Sequence, residues 1–99
     1  MKIIKKLVHK IDDELCGAME YAEKYLEYLS EGDTSLASKF KEMSSDELNH
    51  AMVIHDIAVK KIENLSKVVK PTEDMKQKWD ESHSDYIEKV KWIKTMLNT

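Results

Sequence analysis

The chain predicts an all-α domain of three antiparallel helices in an up-down-up course, and three observations carry that reading. Its 99 residues are 35% charged and include only 2 glycines and 1 proline, with Lys, Glu, Leu, Ile, Ala and Met plentiful. Such a composition suits helices and leaves few residues for turns. Apolar residues recur at alternating steps of three and four along three stretches, the spacing of one buried helical face. Only two short segments interrupt these stretches, Ser30-Glu31-Gly32-Asp33 and Ser66 to Pro71, so each helix folds back on the one before. The length allows one domain, residues 1–99, with one modest core.

The first helix is expected over about residues 2–30. Its apolar stripe is Ile4, Val8, Ile11, Leu15, Ala18, Ala22, Tyr25 or Leu26, and Leu29. Gly32 suits the left-handed conformation that ends a helix, and Asp33 or Thr34 can cap the next one. The second helix is expected over about 34–67, with the stripe Leu36, Phe40, Met43, Glu47, Ala51, Ile54, Ala58, Ile62 and Leu65. A second flank holds Leu48, Met52, His55 and Val59, so this helix needs a neighbour on each side. It must end before Pro71, because the residue preceding a proline avoids helical geometry. The third helix is expected over about 72–97, with Thr72 as cap and Glu73 and Asp74 in its first turn. Its stripe is Met75, Trp79, His83, Tyr86 or Ile87, Val90, Ile93 and Leu97. A helix of 30 residues is about 45 Å long, so the domain should be elongated.

Several function classes are disfavoured. The net charge is -3 and the signs are mixed along the chain. No basic stripe suggests nucleic acid as a partner. Cys16 is the only cysteine, which excludes an intramolecular disulfide or a thiolate metal cluster and fits a reducing compartment. No run of about 18 apolar residues exists to span a bilayer. The opening residues are too polar for a secretory signal, so the expected location is the cytoplasm or the inside of an intracellular particle.

Three polar residues interrupt the apolar stripes. Glu47 and His50 form Glu-x-x-His, and residues three apart on a helix share a face. On the first helix Glu20 and Glu27 fall opposite the stripe, whereas Glu14 falls inside it, among Ile11, Leu15, Ala18 and Tyr21. Residues equidistant from a turn sit at the same level in a helical hairpin. The midpoint of Glu14 and Glu47 lies between Ser30 and Glu31, so Glu14 should lie beside Glu47 and His50. His83, the polar residue in the third stripe, is a further candidate. Its register sets it nearer His55 than His50. His9 reads as a surface residue and His55 as a packing residue.

Two facing carboxylates cannot both stay ionised without a shared proton or a cation. Glu oxygens with His nitrogens and no sulfur suit iron, manganese or zinc. The competing reading is a metal-free polar network at the edge of the bundle, with His83 a hydrogen-bonded core histidine.

These residues resemble the ferritin-like superfamily, in particular its bacterioferritin and rubrerythrin branch. There one helix supplies a glutamate commonly followed by leucine, with a tyrosine seven positions on, and the next supplies Asp-Glu-x-x-His-Ala. Here Glu14-Leu15 is followed by Tyr21, and Asp46-Glu47-Leu48-Asn49-His50-Ala51 lies on the second helix. The resemblance covers about residues 11–60. It implies that Glu47 bridges two metals, that Glu14 and His50 are terminal ligands, and that Tyr21 stands beside the metals without binding them. The implied function is a di-iron carboxylate site used for iron oxidation or binding, or for peroxide reduction. That would make the chain a ferroxidase- or peroxidase-type oxidoreductase.

The chain departs from the family in lacking a fourth helix and a second Glu-x-x-His, and its Ser66 to Pro71 link is too short for the long ferritin crossover. Two repairs are open. A second copy could complete a four-helix bundle about a two-fold axis, as in the half-sized encapsulated ferritins, giving a homodimer or higher homo-oligomer with the third helix outside. Otherwise Glu14, Glu47, His50 and His83 of one chain could hold a single metal. A separate expectation is a non-catalytic helical interaction protein on the same scaffold, binding a protein or small ligand through Trp92, Met96 and Tyr28. A cargo role in a particle ranks below these, because Lys91 to Thr99 shows no detachable targeting tail.

Overall fold

The structure, a computed structural model, describes residues 2–99. Three helices make up its regular structure: α1 (Lys2–Ser30), α2 (Thr34–Ser66) and α3 (Glu73–Leu97), with no strand among the described residues. Local chemistry sets each boundary. Gly32 adopts φ +81°, which only glycine tolerates easily. The turn lets the Asp33 N–H donate back to the Tyr28 carbonyl at 3.0 Å. The Asp33 side chain then accepts from the Leu36 N–H at 3.1 Å and caps α2. At the second break Thr72 caps α3 by accepting from the Met75 N–H at 3.2 Å, with Glu73 and Asp74 in the first turn. Acids there oppose the positive end of the helix dipole.

Late residues of α1 meet early residues of α2. Tyr28 stacks on Phe40 with ring centroids 5.5 Å apart. The Ser44 hydroxyl donates to the Ala18 carbonyl at 2.6 Å. Farther from the turn, Glu14 meets His50. Ala18, Ala22, Ala37, Ala51 and Ala58 are buried along this seam, together with a completely buried Ser44. Small side chains let two backbones approach, which is why α1 packs more closely on α2 than on α3.

The third helix closes one side of this pair. Ile93 and Leu97 are buried, and the Tyr25 hydroxyl donates to the Thr99 carbonyl at 3.0 Å. Against α2, contact runs through aromatic rings: His55 stacks on Tyr86 with centroids 3.9 Å apart, and Trp79 and His83 lie beside it at 5.9 and 5.0 Å. The result is a rod of 55 × 17 × 17 Å.

The buried line on α2 differs from the expected stripe. Ala37, Ser44, Leu48, Ala51, His55 and Ala58 are buried, whereas Met43 is exposed. Apolarity alone does not tell which of two flanks faces the nearer helix, and here the flank of small residues does. Leu29 at the end of the α1 stripe is likewise exposed. Of the alternatives Tyr25 or Leu26, Tyr25 is buried and Leu26 partly so, and of Tyr86 or Ile87, Tyr86 packs against the core while Ile87 is exposed. No helix is long and apolar enough to cross a membrane among the described residues.

Candidate metal centre

Glu14, Glu47 and His50 come together on the side of the α1–α2 pair away from His55 and α3. One ligand atom from each lies within 4.8 Å of the others, so the group could hold a metal ion. His50 Nδ1 stands 3.5 Å from one Glu14 oxygen, and Lys10 Nζ stands 3.2 Å from the other. The Glu14 side chain is 12% exposed and the His50 ring 57%. The group is therefore covered from below and open above.

Gly17 makes room for the third member. A Cβ there would come within 3.2 Å of Glu47 Oε2. A glycine inside a helix costs about 1 kcal/mol relative to alanine, and here the missing side chain leaves space for a carboxylate. Neither Gly17 nor Lys10 stands out as a site residue in the sequence. For Gly17 a signal existed: an unexplained glycine inside a long helix, three residues after Glu14 and so on the same face.

The two carboxyl groups titrate as a pair. A hydrogen bond to Glu14 pushes Glu47 up from its ordinary value, with burial and the Glu14 charge acting in the same direction. The same hydrogen bond holds Glu14 below its ordinary value against the opposing effect of burial, with further help from Lys10 and His50. When the pair holds a single proton, these directions place it on Glu47, with Glu14 the accepting carboxylate. Like charges at this distance favour such a shared proton. A divalent cation can replace the proton and Lys10 together, because metal ligands bind deprotonated. Two oxygens and one imidazole nitrogen fit iron, manganese or zinc by donor type. They fill only part of such a metal's coordination shell.

His83 does not join this group. Its Nδ1 lies 2.9 Å from His55 Nε2 on the opposite face of α2. A single-metal site built from Glu14, Glu47, His50 and His83 of one chain is therefore not assembled, because His50 and His55 project from different sides of the helix. Tyr21 packs toward Phe40, centroid to centroid 6.0 Å. Among the described residues its hydroxyl makes no hydrogen bond to Glu14, Glu47 or His50. Glu20, Glu27 and His9 are exposed, and His55 is buried. No family model, curated protein or solved structure matches the chain.

Proposed function

We propose that the chain is one half of a ferritin-like metal protein, an up-down-up helical unit whose α1 and α2 pair with those of a second copy. The observation that carries this reading is where the Glu14, Glu47 and His50 group lies. It sits amid exposed apolar residues of α2, with Met43 seven residues before His50 and Val53 and Ile57 three and seven after it. An exposed apolar stripe of this kind marks an association surface. Cover from a second copy would bring two such groups face to face and add the ligands that one chain lacks.

In this reading Glu14, Glu47 and His50 would hold iron, roles taken from the ferritin-like resemblance. Bound iron supplies redox chemistry with dioxygen or peroxide, giving iron oxidation or peroxide reduction. The chain's own part is to hold the ligands in place, to release the proton carried by Glu47, and to withdraw Lys10 from Glu14. Metal analysis of protein purified without chelator, paired with sedimentation at several iron concentrations, tests it. The expected result is bound metal that stabilises a dimer. Less than about 0.2 metal per chain after reconstitution would overturn it.

A second reading rests on Trp92, 59% exposed on α3. In it the scaffold is a non-catalytic interaction protein, and the Glu14–Glu47 proton is a structural feature. The double variant Glu47→Gln, His50→Ala separates the two readings. Unchanged oligomeric state and unchanged or higher stability favour this second one, and joint loss of metal and dimer favours the first.

A further inference from the structure

The structure holds a second concavity, at the opposite end of the rod from the Gly32 turn. It is a cleft of about 480 Å³ where the first turns of α1, the last turns of α2 and the first turns of α3 converge. Its walls are Ile4, Val8, Ile62, Met75 and Trp79, all of them only partly buried. The cause lies in how α3 packs. Its fully buried residues, Ile93 and Leu97, are both at its far end, so near Trp79 the three helices leave a gap between apolar side chains. A cleft of this size and lining suits a small ligand.

The charges at its mouth select the kind of ligand. On the α3 side Lys78 is paired with Asp74 at 3.2 Å and Lys76 with Glu73 at 3.4 Å. On the α1 side Lys5 and His9 line the cleft without an ion-pair partner among the described residues. Asp80, the acid on the rim without such a partner, repels an anion from the α3 side and leaves the α1 side to receive it. The geometry points to a binding site for a single-chain amphiphile with an anionic head: the apolar chain lies along Trp79 and Val8, and the head faces Lys5 and His9. This site is separate from the metal group and stands or falls without it.

Trp92 and Trp79 are the only tryptophans, so in the Trp92→Phe variant the indole emission reports on the cleft wall alone. Titration of that variant with dodecanoate, and with dodecyltrimethylammonium, below their aggregation thresholds should give saturable one-to-one binding that favours the carboxylate. Adding Lys5→Glu, at an exposed position, should weaken dodecanoate about fivefold, the scale of one exposed ion pair. Adding Val8→Phe instead should fill the cleft and abolish binding, with helical circular dichroism retained in both. No saturable binding of dodecanoate overturns the inference. So does equal or tighter binding of the cationic amphiphile, or an affinity unaffected by Val8→Phe in a folded protein.

Discussion

The carboxylate of Glu47 lies against the backbone of Gly17, on the neighbouring helix, so closely that a Cβ on Gly17 would sit 3.2 Å from Oε2. Glycine at this point of α1 lowers helix propensity and makes room for a ligand. The two effects can be separated. Gly17→Ala should raise the thermal stability of the metal-free protein by up to about 1 kcal/mol, since the end of a glutamate side chain can shift by a few tenths of an ångström. The same shift should weaken metal affinity about tenfold or more. Calorimetry in chelator and an iron titration read the two effects independently.

In its protonated form Glu47 donates a hydrogen bond to Glu14, and glutamine can donate the same hydrogen bond without titrating. The raised pKa of Glu47 contributes stability below its ordinary value of 4.5, and that stability is lost as pH rises. The lowered pKa of Glu14 acts the other way, contributing stability above 4.5 that is lost as pH falls. In Glu47→Gln only the Glu14 part remains. In chelator the variant should therefore gain stability relative to the parent as pH goes from 5 to 7.5, while its metal binding is abolished. Melting temperatures across that range check the sign.

His55 should make the contact between α2 and α3 sensitive to acid. Burial, with the His83 charge next, pushes its pKa below the ordinary 6.5, and the weaker influence of Asp56 opposes them. A depressed histidine gives stability above 6.5 that is lost as pH falls below it. Tyr86, stacked on the same ring, is pushed above 10.0 by burial, so its contribution is lost as pH rises past that value. Trp79 emission in the Trp92→Phe variant should therefore be steady between these limits and change on both sides. His55→Phe should remove most of the acid limb and leave the alkaline one.

Ser44 is completely buried, and its hydroxyl is fixed 2.6 Å from the Ala18 carbonyl. Ser44→Ala should cost about 1 kcal/mol for the lost hydrogen bond. Ser44→Leu should cost about 1–3 kcal/mol by overpacking the closest part of the α1–α2 seam. Chemical denaturation distinguishes them, with the larger side chain the more damaging although it is the more apolar.

The helix limits were legible because their signals are local: Gly32, Asp33, Pro71 and Thr72 each act within a few residues. The meeting of Glu14 with Glu47 and His50 was legible because distance from a short turn fixes the level of each residue in a hairpin. The nearness of His83 to His55 followed from the same count. The buried line of α2 was legible only in part: Ala51 and Ala58 lie on the expected stripe and Leu48 and His55 on its flank, but Ala37 and Ser44 lie on neither. Phe40 and Met43 are more hydrophobic than Ala37 and Ser44, yet the seam selects for small size, which a hydrophobic stripe does not register. Lys10 was hidden for another reason. A lysine four residues before a glutamate is commonplace on a helix surface, and only the position of Glu14 gives this one a role.

A rod 17 Å across places no atom farther than about half that width from water. It has length but little depth. Protection of backbone amides from solvent exchange should then vary along the axis instead of increasing inward. Exchange should be slowest around Ala18 and Ser44, where the backbones are closest, and fastest toward the end holding Trp79, where the helices diverge. Opening one end need not unfold the other, so the carboxylate pair near mid-length could stay in register while the far turns of α3 exchange freely.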